Sequence, residues 1–126
     1  MQISDRKRLS RIRQSLLELA LEIQELIPVF AERSPFMKGT VYEQKRKCGK
    51  PTCHCASGEL HGTMILSRSE QGRTELTTIP SGHLKDFQVL TERYKRFRRA
   101  RARLGQIYKT MVLLINQIEE SRRKES

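Results

Sequence analysis

The stretch KCGKPTCHCASGELH, residues 47–61, holds all three cysteines of a 126-residue chain and two of its three histidines. Zn²⁺ takes four soft or borderline ligands at about 2.0–2.3 Å in a tetrahedron. Cys48, Cys53, Cys55 and His61 supply four such groups within fourteen residues. Gly49, Pro51, Gly58 and Gly62 are turn formers that let so short a segment fold around one point. The spacing C-x4-C-x-C-x5-H departs from the paired C-x2-C of fingers and ribbons. Side chains at i and i+2 of an extended strand lie nearly 7 Å apart, roughly twice the reach of one ion. Cys53 and Cys55 therefore share a metal only if the backbone bends at His54, which is itself an alternative to Cys55 or His61. Three independent thiols, or a disulfide with one cysteine left over, are the competing readings, and the odd count argues against a disulfide framework. Catalytic zinc would need an open position and a general base, for which the loop offers only Glu59. The expected role of the metal is structural.

The sequence on either side reads as strand. Gly39 to Arg46 precedes the loop, and Thr63 to Arg68 followed by Arg73 to Ile79 form a hairpin turning over Glu70, Gln71 and Gly72. A three-stranded sheet this small needs a metal or a packed helix to stand.

Further out, two segments keep the alternating three-and-four spacing of coiled-coil helices. Leu9, Ile12, Leu16, Leu19, Ile23, Leu26 and Phe30 keep it in the first, with Ser4 as N-cap and Pro28 interrupting the end. Phe87, Leu90, Tyr94, Phe97, Arg101, Leu104, Tyr108, Met111, Ile115 and Ile118 keep it in the second, which should begin near Pro80 or Ser81. The fold class is α+β: two long coiled-coil-like helices, 4–30 and 81–121, flanking a small antiparallel sheet, 38–80, with a zinc-binding Cys/His loop, all in one domain, 1–126. At 1.5 Å per residue the second helix is roughly 60 Å long and the first about 35 to 40 Å. An antiparallel hairpin would leave about 20 Å of the second, with Met111, Leu114, Ile115 and Ile118, as an apolar stripe for a homodimer or higher oligomer. A break at Gly105 is the alternative, since glycine costs up to about 1 kcal/mol within a helix.

The formal net charge is +11. Arg93, Lys95, Arg96, Arg98, Arg99, Arg101 and Arg103 crowd the second helix, Arg6, Lys7, Arg8, Arg11 and Arg13 the first, and Lys45, Arg46, Lys47 and Lys50 adjoin the first cysteine. Basic surfaces of this density attract nucleic-acid phosphate. Glu18, Glu22 and Glu25 fall where an antiparallel partner would present Arg93 to Arg99, so some of this charge goes to interhelical pairs. Single strands are recognised by displayed aromatics, whereas Tyr94, Phe97 and Tyr108 sit on the seam, so duplex DNA is favoured over RNA. No helix-turn-helix or finger spacing supports sequence-specific readout.

The chain has no paired carboxylates near a histidine, no phosphate-binding glycine loop and no GxSxG elbow, and His83 at a helix start reads as structural, so no enzyme activity is expected. Its longest apolar run, MVLLI from Met111, is far too short for a bilayer, and the first residues lack a signal-peptide pattern. With reduced thiols, a cytoplasmic protein is expected.

From Lys38 to Pro80 the sequence also resembles a family of small bacterial and archaeal proteins classed as a domain of unknown function. The matching positions are Cys48, Gly49, Lys50, Pro51, Cys53, Cys55, His61 and Gly62, followed by a hairpin and a long C-terminal helix. The resemblance implies His61 rather than His54 as fourth ligand. Thr63, Met64 and Ile65 depart from it, standing where the family has a proline and aromatics. It brings no activity with it. The reading favoured on residues is a zinc-stabilised, dimeric, DNA-binding accessory or regulatory protein, with Arg96, Arg98, Arg99 and Arg103 on phosphate. The alternative is a coiled-coil adaptor whose zinc head or helix end binds another protein.

Overall fold

A computed structural model describes residues 3–46 and 61–124. The elements in chain order are α1 (Ile3–Ala31), β1 (Thr40–Arg46), β2 (His61–Glu70), β3 (Arg73–Thr78) and α2 (Leu84–Arg122). The protein is α+β, with two helices and one three-stranded antiparallel sheet in the order β1-β2-β3. It divides into two compact units, Met1–Arg33 with Phe97–Ser126, and Ser34–Arg96. The helices therefore do not flank the sheet as expected: α1 shares its unit with the later part of α2, and the sheet shares the other with the earlier part.

In the helical unit, α1 buries Leu9 and Ile12, while Leu16, Leu19, Ile23, Leu26 and Phe30 are half-buried. That is the whole expected seam. Helix α1 starts at Ile3, so Ser4 lies inside it rather than capping it, and it runs through Pro28 to Ala31. Proline there removes one intrahelical donor close to the helix end, where few hydrogen bonds remain to be lost. Phe30 beyond it still packs edge-on against Phe97, with ring centroids 5.5 Å apart. Glu22 meets Arg103. Rising residue numbers on α1 thus meet falling numbers on α2, and the two helices run antiparallel.

On α2 the inward set in this unit is Phe97, Ala100, Leu104, Ile107, Met111, Leu114 and Ile118. Ile107 is fully buried and Ala100 nearly so. Arg101, Tyr108 and Ile115, expected on the seam, are exposed. The spacing 97, 100, 104, 107, 111 obeys the same three-and-four rule as 97, 101, 104, 108, 111, and burial chooses the set without the charged residue. Helix α2 is continuous through Gly105, so no break occurs there. The expected overhanging stripe is also corrected: Met111, Leu114 and Ile118 are half-buried on the seam, and only Ile115 of that group is open.

In the sheet unit the β1–β2 register runs from Thr40 opposite Ser67 to Arg46 opposite His61. Strand β2 pairs with β3 from Ile65 opposite Thr78 to Glu70 opposite Arg73. Gln71 (φ 50°) and Gly72 (φ 77°) close that hairpin with the two positive φ values of a type I′ turn, whose twist matches the strands. Ile65, Leu66 and Ile79 are buried, as is Thr91 of α2. The Thr91 hydroxyl donates to the Phe87 carbonyl at 2.8 Å, so this buried polar group is satisfied. The segment before β1 is tied to α2 by the Met37 amide on the Leu90 carbonyl, 3.0 Å, and by Phe36 against Tyr94, centroids 5.3 Å apart. Helix α2 begins at Leu84, later than the expected Pro80 or Ser81. Gly82 at φ 86° and the bond from the His83 amide to the Pro80 carbonyl, 3.1 Å, make residues 80–83 a turn instead.

Candidate nucleic-acid interface and metal loop

Cys48, Cys53 and Cys55 lie outside the described residues, as does His54. His61 opens β2, its backbone paired with that of Arg46 at the end of β1. Directly opposed residues of an antiparallel pair are about 5 Å apart, so Arg46 and His61 lie side by side on the ladder. Gly62 follows on β2, and a side chain there would run into the Glu43 carboxylate, which occupies that space. Glu43 is exposed and its carboxylate ends a flexible side chain, so it can move aside and the sheet does not by itself require a glycine there. Among the described residues, no three His, Cys, Asp or Glu side chains gather as a metal site.

The basic run on α2 is less uniform than its sequence implies. Arg93 donates to the Pro35 carbonyl at 3.1 Å and so helps hold the segment before β1. The Arg101 guanidinium stacks over the Phe97 ring, 5.8 Å from its centroid. Arg103 grips Glu22 with two donors, Nε to Oε2 and Nη2 to Oε1, the latter at 2.7 Å. That fork is a charge-assisted bidentate pair. The hydrogen bond from Arg103 holds the Glu22 carboxyl below its ordinary value near 4.5, and the same bond holds the guanidinium further into its charged range. The partner of Glu22 is thus Arg103, four residues beyond the Arg93 to Arg99 stretch expected from helix length.

Arg96, Arg98, Arg99 and Arg103 are all exposed. Spacings of three and four put Arg96, Arg99 and Arg103 along one face of α2, while Arg98 falls on another. The four do not form a single patch. Their charge wraps the helix, an arrangement suited to sequence-independent attraction of phosphate and unsuited to reading base edges from one side. Tyr94 and Phe97 are half-buried in aromatic contacts, whereas Tyr108 is 69% exposed, against the expectation that it sits on the seam.

In the sheet unit, Val41 and Met64 with Gln88, Val89, Thr91, Glu92 and Lys95 line an open groove of about 450 Å³. His83 stands at the solvent-exposed start of α2, its Nδ1 3.6 Å from Asp86. No described helix is long and apolar enough to cross a membrane.

The described residues therefore define a basic protein of two helices and a three-stranded sheet, whose first two strands stand on either side of the cysteine-bearing segment in sequence. The chain belongs to the family described as Domain of unknown function (DUF6788), which it matches over residues 6–89. That match includes α1 from Arg6 onward, which the motif resemblance left out, and ends six residues into α2, before the basic run from Arg93. Neither a curated protein nor a solved structure matches the chain.

Proposed function

We propose that the protein is a zinc-stabilised, basic, DNA-binding accessory or regulatory factor that works as a dimer in the cytoplasm. The observation that carries this reading is a net charge of +11, much of it concentrated on exposed arginines around α2. Glu18, Glu22 and Glu25 of α1 are too few to neutralise the seven basic residues from Arg93 to Arg103, so the run stays cationic. Arg96, Arg98 and Arg99 are the leading phosphate contacts, and Arg103 joins them when it shares its fork with phosphate. Duplex DNA is preferred to RNA because Tyr94 and Phe97 are spent on packing, which leaves Tyr108 alone of the three expected seam aromatics open for base stacking. The basic run lies beyond the family match, so this activity would belong to the part of α2 that the family description does not cover.

Zinc held by Cys48, Cys53, Cys55 and His61 fits the Arg46–His61 pairing, which returns the chain to the same point after the cysteines. Three thiolates and a neutral imidazole around Zn²⁺ leave one net negative charge. Lys45, Arg46, Lys47 and Lys50 offset it. The metal would give rigidity and no chemistry.

A duplex-DNA titration across a salt series tests the reading, with a variant carrying Glu in place of Arg96, Arg98, Arg99 and Arg103. Log affinity should fall against log salt with a slope of roughly −0.9 per phosphate contacted, about −3.6 for four, and flatten in the variant. Absence of binding at low salt overturns it and leaves a protein–protein adaptor as the better account.

A further inference from the structure

Helix α2 carries a second stripe beside the seam it shares with α1. Arg101, Gly105, Tyr108, Val112, Ile115 and Glu119 are spaced four, three, four, three and four residues apart, which is the rule for one side of a coiled-coil helix. All six are exposed, Tyr108 by 69%, Ile115 by 52% and Val112 by 37%. An uncovered heptad stripe with apolar middle and charged ends is a contact surface, and its ends carry opposite sign.

Gly105 is the second observation. Among the described residues nothing lies within 4 Å of where its side chain would be, and it has an ordinary helical backbone, so their packing does not require a glycine there. Glycine in a helix interior is destabilising. A glycine on the outer face is accounted for when another chain fills the space above it.

We infer that this stripe pairs with the same stripe of a second copy, the two α2 helices antiparallel about a two-fold axis between Tyr108 and Val112. The inference rests on the dimer in the proposed function, gives that dimer its interface, and does not depend on DNA. Under that symmetry each position meets the one that lies as far beyond the axis as it lies before it. Arg101 meets Glu119 of the other copy, Gly105 meets Ile115, and Tyr108 meets Val112, each twice. The stripe maps onto itself, with opposite charges at both ends and the largest gap facing a branched aliphatic side chain. A parallel pairing would set Arg101 beside Arg101 and Glu119 beside Glu119, and like charges disfavour it. Two-fold interfaces of this self-complementary kind are the commonest among homo-oligomers.

The test is sedimentation of three samples over a concentration series without nucleic acid: wild type, Arg101→Glu and Glu119→Arg. Wild type should dimerise, each single variant should be weakened at least tenfold because both of its end pairs become like-charged, and an equimolar mixture of the two should recover a dimer. Recovery shows that the end charges act between copies, and the antiparallel register is read from the single variants, since a parallel pairing already sets like charges together in the wild type and neither substitution would weaken it. In the mixed dimer the introduced glutamate of one copy faces the introduced arginine of the other, and the unchanged Glu119 of the first faces the unchanged Arg101 of the second. A monomeric wild type overturns the inference, and so does a dimer that ignores both substitutions or a mixture that stays monomeric. Failure of DNA binding leaves all of these outcomes unchanged.

Discussion

Glu22 and Arg103 fix the register of the helical unit: the carboxylate of α1 accepts two hydrogen bonds from the guanidinium of α2, one from Nε and one from Nη2 at 2.7 Å. The pair is partly exposed, with 33% of the Glu22 and 43% of the Arg103 side chain open to solvent. Water screens such a bridge, so its value is in orientation more than in stability. The carboxyl is held below its ordinary value, so its contribution is complete above the unfolded value near 4.5 and is lost as pH falls through the lower folded value. Thermal melts between pH 3 and pH 7 should show Glu22→Gln differing from wild type at neutral pH and converging with it toward pH 3. A constant offset at every pH would mean that the bridge contributes through packing alone.

Ile107 separates the true seam from its neighbour. It is fully buried, whereas Tyr108 one residue on is 69% exposed. Ile107→Ala should cost about 2–5 kcal/mol in urea unfolding, by lost transfer energy and the cavity left behind. Leu113→Ala is the control: it is 62% exposed and should stay within about 0.5 kcal/mol. Equal costs would show that the burial pattern of α2 is wrong.

The same residues show where the sequence was legible. Every seam position of α1 from Leu9 to Phe30 was readable, because the neighbouring stripe of the same spacing, Leu9, Arg13, Leu16, Ala20, Ile23, Ile27 and Phe30, puts a charge and an alanine where the seam has Ile12 and Leu19. On α2 two stripes do, one through Ala100, Ile107 and Leu114 and one through Arg101, Tyr108 and Ile115, and periodicity alone cannot rank them. Arg101 was the available signal, since a charge in a seam is costly when an alanine stands one residue away. The lengths of the helices gave the size of the unmatched part of α2 but not which end it was, for that depends on the sheet unit claiming residues 84–96. The basic run was visible, yet its loss of Arg93 to Pro35, Arg101 to Phe97 and Arg103 to Glu22 depends on tertiary register. Gly82 could have placed the start of α2, because a glycine three residues after Ile79 marks a turn before a helix.

Gly39 is a position where only glycine fits. Its φ is 143°, and a Cβ there would sit 2.7 Å from Leu66 Cδ1 and 2.9 Å from the Ser67 carbonyl. Leu66 is buried, so its methyl has little room to retreat. Gly39→Ala should destabilise the sheet unit by about 1–3 kcal/mol, combining backbone strain with the close contact. Hydrogen exchange is the direct readout: the β1 and β2 amides should exchange faster, while those of α1 keep their rates. Uniform loss of protection would mean that the two units unfold together.

Zinc makes a prediction that separates the metal from the thiols. The sheet is small, β3 is exposed along its whole length, and the loop of fourteen residues between β1 and β2 must be closed before the β1–β2 ladder can form. Closing a loop of that length costs chain entropy that a bound metal offsets. Purified protein should therefore carry about one Zn²⁺ per chain, and chelation should release it with loss of strand signal, while the α1 and α2 helical signal largely persists. Cys48→Ser, Cys53→Ser and Cys55→Ser should each lower the metal content, and His61→Ala should do so where His54→Ala does not. If His54→Ala loses the metal and His61→Ala retains it, the ligand set changes and the sheet would close beside the site instead of through it. A metal-free protein with an intact sheet would leave three thiols in a loop that the β1–β2 ladder closes unaided.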